Sequence, residues 1–123
     1  MDKHEGENTM IKMIVMAKKK AGISSKEFYK YWSEVHGPLI AKHMPGIRKY
    51  VQNHFIPVPG EKYEGDGFIE VWFDDIEAYH KFIEYGKSEA AKKLGLGADW
   101  AKIADMAPPK VWIAEEHLIK DFD

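Results

Sequence analysis

Apolar positions along the chain change period several times, and each change marks an element. Met10 to Ala17, MIKMIVMA, is a short apolar run with β-branched residues at its centre. It ends in the turn-prone stretch Lys18 to Gly22, and so reads as a buried strand. Phe28, Trp32 and Val35 then recur at helical spacing behind Ser24, which stands three residues before Glu27 in a capping-box arrangement. This predicts an amphipathic helix from about Ser25 to Val35. Gly37 and Pro38 break the regular pattern, although Leu39, Ile40 and His43 suggest one further helical turn before the stop at Met44-Pro45-Gly46. From Ile47 to Ile56 the period is two, with Arg48, Tyr50, Gln52 and His54 on one face and Ile47, Val51 and Phe55 on the other. Pro57 to Asp66 holds two prolines and two glycines and is a connection. A third strand, Gly67 to Phe73, sets Phe68, Glu70 and Trp72 opposite Ile69, Val71 and Phe73. Asp74, three residues before Glu77, gives a second capping-box signal, and Ile76, Tyr79, Phe82 and Ile83 form the stripe of a second helix. The glycine-punctuated stretch Gly86 to Pro109 has room for one or two short helical turns around Ala90 and Trp100, and Lys110 to Ile119 closes the chain as a fourth strand.

The order β-α-β-β-α-β predicts an α+β, ferredoxin-like domain, an antiparallel sheet with both helices on one face. Ile47, Val51, Ile69 and Phe73 can then pack under the helices, while Tyr50, Phe68 and Trp72 face away from them. Three neighbouring aromatics left in water forgo several kcal/mol of burial at roughly 25 cal/mol per Å², and such a patch marks an interface or a ligand groove. Two sheets packed face to face in a homodimer would cover it.

Composition fits one globular domain. The chain has 123 residues, 45% hydrophobic and 31% charged, which is ordinary for a folded domain over residues 10–123. The polar start, MDKHEGENT, reads as a disordered tail over residues 1–9 with no leader-like apolar segment, and no stretch approaches the roughly 18 apolar residues of a membrane span. A net charge of −2 offers no field for phosphate backbones or anionic lipid. The absence of cysteine removes disulfides, thiolate metal sites and cysteine nucleophiles, and suits the cytoplasm. RNA-recognition domains share the element order, but Asp66 stands where a basic residue belongs and Glu70 where a stacking aromatic belongs, so no nucleic acid partner is expected.

His36 is the first candidate for chemistry. A histidine titrates near neutrality, and the Gly37-Pro38 turn would hold it at the end of the first helix, where the competing role is a cap on the helix dipole. Tyr50, Gln52 and His54 point to one side of their strand, with Phe68, Glu70 and Trp72 expected across from them. Such a row, with Trp32, would orient a flat, partly oxygenated small molecule by stacking and a few polar contacts, or would equally serve a dimer interface. Glu70 is either a buried general base or the ion-pair partner of Arg48. His36, His54 and Glu70 lack the spacing of metal ligands, and neither a P-loop nor GxGxxG is present. No metal and no cofactor are therefore expected.

The segment Trp32 to Tyr50, WSEVHGPLIAKHMPGIRKY, resembles the EthD family in its tryptophan, the histidine before Gly-Pro, and the later Pro-Gly and tyrosine. The likeness extends to GFIEVWFDD at Gly67 to Asp75 and to Asp105, over about residues 10 to 119. It implies a dimeric α/β barrel, in which two ferredoxin-like sheets pack together and each subunit keeps a small-molecule cavity. It also implies a role for Asp105 in orienting His36 or binding substrate. The family includes a methylmuconolactone isomerase and tailoring proteins of aromatic polyketide pathways. Val71 occupies the place of that isomerase's cysteine, so its particular chemistry does not carry over. The implied activity is cofactor-independent proton transfer on an aromatic, quinone-like or lactone substrate, as an isomerase, decarboxylase or dehydratase, with His36, Tyr50 and His54 catalytic. The alternatives are a cofactorless anthrone-type oxygenase and a non-catalytic small-molecule-binding protein.

Overall fold

The computed structural model describes residues 10–122; the tail expected over residues 1–9 lies outside the described residues. The elements are β1 (Ile11–Ala17), α1 (Ser25–Tyr31), a π-helical turn (Trp32–His36), α2 (Gly37–His43), β2 (Lys49–His54), β3 (Gly67–Phe73), α3 (Ile76–Gly86), α4 (Glu89–Leu94), α5 (Leu96–Ala101) and β4 (Val111–Glu115). The four strands form one antiparallel sheet in the order β2-β3-β1-β4, the ferredoxin-like arrangement. The strands expected over Ile47–Ile56 and Lys110–Ile119 are trimmed at both ends.

Local chemistry explains the helix boundaries. Ser24 caps α1, its Oγ accepting from the Glu27 N–H at 3.1 Å. The cap of α3 is Asp75 rather than Asp74: its carboxylate accepts from the Ala78 N–H at 2.8 Å, while Asp74 pairs with Arg48 at 3.5 Å in the open. Gly95 ends α4 in the left-handed region, φ 70°, and α5 starts directly after it.

Gly37 and Pro38 do not break the first helix. Proline has no N–H to return to the Glu34 carbonyl, and its ring would press on that carbonyl in a regular helix. The chain takes a wider turn instead, and the Gly37 N–H reaches back five residues to the Trp32 carbonyl. The same carbonyl accepts from the Gln52 side-chain amide at 2.8 Å, which ties the widened turn to β2. A Cβ on Gly37 would lie 2.5 Å from that amide nitrogen and 2.9 Å from the carbonyl oxygen, so only glycine leaves the junction room.

The register corrects the expected face of β2. Tyr50 stands opposite Val71, Gln52 opposite Ile69 and His54 opposite Gly67, so all three lie under the helices. Lys49, Val51 and Asn53 share the outer face with Trp72, Glu70 and Phe68. Strict alternation identifies two faces without saying which is inward, and the polar members of this row are half-buried on the helix side, where Gln52 finds a partner in the Trp32 carbonyl. Two packed clusters fill the helix side. Met13, Val71, Phe73 and Phe82 make one; Ala17, Phe28, Trp32 and Ile103 make the other.

The outer face is partly self-covered. Trp72 is only 6% exposed, with the ammonium groups of Lys12 and Lys49 about 5.2 and 4.8 Å from its ring centre. Lys12 also binds Glu70 at 3.0 Å and Glu116 at 3.3 Å.

Gly67 is a point of close approach. A Cβ there would sit 2.1 Å from the Asn53 carbonyl oxygen and 3.1 Å from the Trp32 ring. Neither contact can be relieved by a flexible side-chain end, so Gly67→Ala is expected to cost about 1–3 kcal/mol, read as a lower midpoint in urea unfolding. An unchanged midpoint would show that β2 and Trp32 can move aside.

Candidate functional site

A cavity of about 350 Å³ opens between the sheet and the helices of a single chain. Both packed clusters contribute to its wall: Val71 and Phe82 from one, Ala17 and Trp32 from the other. Most of the wall is apolar, and its size is that of a site for a small organic molecule.

Four ionisable groups reach the wall from distinct parts of the chain. His36 ends the π-turn, Tyr50 stands on β2, Asp105 lies in the connection after α5, and Lys18 follows β1. Lys18 and Asp105 pair with each other at 3.7 Å, so they form a charged edge. Asp105 also caps its own turn, accepting from the Ala107 N–H at 2.9 Å. Asp105 lines the cavity but is not the partner of His36.

That partner is Asp99. His36 is 7% exposed and its Nδ1 lies 2.9 Å from Asp99 Oδ2; the other carboxylate oxygen accepts from the Tyr31 hydroxyl, with Lys102 Nζ 3.6 Å away. Trp100, next to Asp99 on α5, stands against the His36 ring with centroids 4.9 Å apart. Burial works to raise the Asp99 carboxyl. The hydrogen bonds from Tyr31 and His36 and the charges of His36 and Lys102 outweigh it and hold Asp99 below the usual carboxylate range. Asp99 is thus a carboxylate and Nδ1 carries the proton donated to it. For His36, burial lowers the pKa below 6.5 against the opposing pull of Asp99. The imidazole is neutral near pH 7, and Nε2 keeps a free electron pair with no protein partner among the described residues.

Tyr50 is the complementary group. Burial raises its pKa, opposed by hydrogen bonding to Gln52 and Trp32, so the phenol stays protonated. Gln52 Nε2 donates to its oxygen at 3.4 Å, which leaves the hydroxyl proton available to an acceptor in the cavity. Nε2 of His36 can accept a proton from a bound molecule while the Tyr50 hydroxyl donates to an oxygen of it.

The remaining expected residues divide. Trp32 lines the cavity. Gln52 and His54 share its face of the sheet but serve packing. The His54 ring is stacked between Tyr29 and Trp32, at 4.6 and 4.8 Å, and its Nε2 donates to Gln52 Oε1 at 2.9 Å. Phe68, Glu70 and Trp72 lie on the other side of the sheet from the cavity. Glu70 is not a base with a raised pKa: against the effect of burial, Asn53 and Lys12 pull its carboxyl below the usual range. Among the described residues, no three His, Asp or Glu side chains are grouped to hold a metal ion, and no helix is long and apolar enough to cross a membrane. Tyr31, Asp99 and Trp100 were not among the expected site residues. The sequence signals for them were the Asp99-Trp100 pair after two glycines and a tyrosine five residues before His36.

No curated protein matches the chain. Among solved structures it is similar to an EthD family protein from Bacillus halodurans C-125, at 21% identity and a TM-score of 0.63, covering 88% of this chain and 99% of that one. An EthD-like protein from Ralstonia eutropha JMP134 matches at 20% identity and a TM-score of 0.65, covering 90% and 95%. A protein of unknown function from Bacteroides fragilis NCTC 9343, described as dimeric with a ferredoxin-like fold, matches at 15% identity and a TM-score of 0.54, covering 89% and 96%. The EthD domain model matches residues 20–107, a span that runs from just before α1 through the π-turn and β3 to the cavity's edge at Asp105. Covering most of the chain, that match makes it a member of the EthD family.

Proposed function

We propose that the chain is a cofactor-independent enzyme that moves a proton on a small cyclic substrate, aromatic, quinone-like or lactone. One observation carries this reading: a buried histidine, its Nδ1 held by a carboxylate and its Nε2 without a protein partner among the described residues, lines an apolar cavity that Tyr50 also lines. His36 takes the proton from carbon or oxygen, and the Tyr50 hydroxyl donates to the oxygen on which charge develops. One positioned imidazole supplies about 10²–10⁴-fold, enough for isomerisation, decarboxylation or dehydration of an activated substrate. The apolar wall, with the Trp100 ring in it, fits the flat body of such a molecule.

We also read the protein as a homodimer of the cytoplasm, the location resting on the lack of cysteine. The sheet face away from the helices carries Val51, Phe68 and Trp72, and Trp112 beside them is 48% exposed. A second copy of that face would cover it, and the similar Bacteroides protein is described as dimeric. Light scattering should then give twice the 14.2 kDa chain mass, and a monomer at micromolar concentration would remove the dimer.

The function is tested by melting the protein with aromatic lactones, hydroxyquinones and phenolic acids, then assaying each stabilising compound for product. A ligand present at 100 times its Kd adds about 2.7 kcal/mol of stability. Stabilisation with turnover supports the enzyme. Stabilisation without product supports a binding protein instead, and product formed only with consumption of oxygen supports an oxygenase.

A further inference from the structure

Tyr31 and His36 are five residues apart in one continuous helical segment, yet both bond the same carboxylate. In a regular α-helix such residues point about 140° apart, since each residue turns about 100°. The π-turn between them removes most of that offset, because its wider loop brings residues five apart into line. Asp99, delivered from α5 just past the left-handed Gly95, receives the pair, one on each oxygen.

We propose that Tyr31 and Asp99 are positioning residues that lock His36 as the Nδ1–H tautomer with Nε2 turned to the cavity. In this arrangement Tyr31 sets how strongly Asp99 holds the imidazole. The inference rests on the proposed role of His36. Asp99 alone would serve two opposed ends: it orients the ring, and its charge favours the protonated ring that cannot act as a base. The Tyr31 hydroxyl, donating to the same carboxylate, draws off part of that charge. Orientation is kept and the imidazole stays neutral.

The other ionisable groups about the ring are accounted for. Lys102 approaches Asp99 from the far side at 3.6 Å and works in the same sense as Tyr31. Tyr50, from β2, keeps its proton. Lys18, after β1, and Asp105, after α5, neutralise one another at the cavity edge. Tyr31 is therefore the uncharged group through which the dyad is adjusted, and it is not itself part of the cavity wall.

The test is nitrogen-15 NMR of His36 in the resting protein, which needs no substrate and so stands apart from the success or failure of the enzymatic reading. At neutral pH Nδ1 should be protonated and Nε2 should carry the lone pair; the reverse tautomer would overturn the proposal. Tyr31→Phe should raise the His36 titration midpoint by about 0.5–1 unit, since about one hydrogen bond's worth of charge returns to the imidazole. Asp99→Asn should lower the midpoint. A midpoint unmoved in Tyr31→Phe would overturn the tuning role, and if either variant fails to fold, the tautomer of the unaltered protein still decides the orientation.

Discussion

Turnover of a stabilising substrate is expected to fall about 10²–10⁴-fold in His36→Ala, with the fold intact. The fold should survive because the substitution leaves no orphaned charge: Asp99 keeps the Tyr31 hydroxyl and, more distantly, Lys102. The lost imidazole was packed against Trp100 at the wall of an existing cavity, so its removal enlarges a space that is already there. The acid side of the pH profile gives an independent check. Only the neutral imidazole accepts a proton, so activity declines as pH falls through the His36 pKa, and burial sets that value below 6.5. Turnover in His36→Ala equal to that of the parent, in a protein of unchanged melting temperature, would take His36 out of the mechanism.

Phe28→Ala should be the most damaging substitution for stability, at about 3–5 kcal/mol, a large share of the 5–15 kcal/mol typical of small domains. Phe28 is fully buried, and its ring meets Trp32, Tyr29 and Trp100 at centroid distances of 5.3, 5.6 and 5.9 Å. Both tryptophans line the cavity. The hole left by Phe28 therefore adjoins two residues of the cavity wall, and ligand-induced stabilisation should weaken along with the melting temperature. A loss below about 1 kcal/mol would mean that the tryptophans collapse into the space.

The elements could be read from periodicity because each helix and strand has an apolar stripe of its own kind. Ser24 and Glu27 announced the first helix, and the two short helices near Ala90 and Trp100 followed from glycine spacing. The site was less legible. His36 stood out beside Gly-Pro, yet its partner did not, because Asp99 and Asp105 both fall in the glycine-punctuated stretch Gly86 to Pro109 and only tertiary packing brings Asp99 to Nδ1. The face of β2 was misassigned for a related reason. A row of Tyr, Gln and His looks directed away from the helices until the carbonyl of a widened helical turn is there to receive Gln52. Gly37-Pro38 read as a break for the same want of context: the pair stops a regular helix, and a helix that can widen passes through it.

The π-turn also changes how this chain should be lined up against its relatives. A turn that holds one extra residue behaves as an insertion absorbed on the spot, and α2 follows it with no residue between. A regular helix one residue shorter would present a tyrosine and a histidine four apart on the same side. Counted by rotation instead of by position, the two spacings are equivalent. Members of the family that share this pair are then found by matching helical phase, with a single gap admitted between Tyr31 and His36.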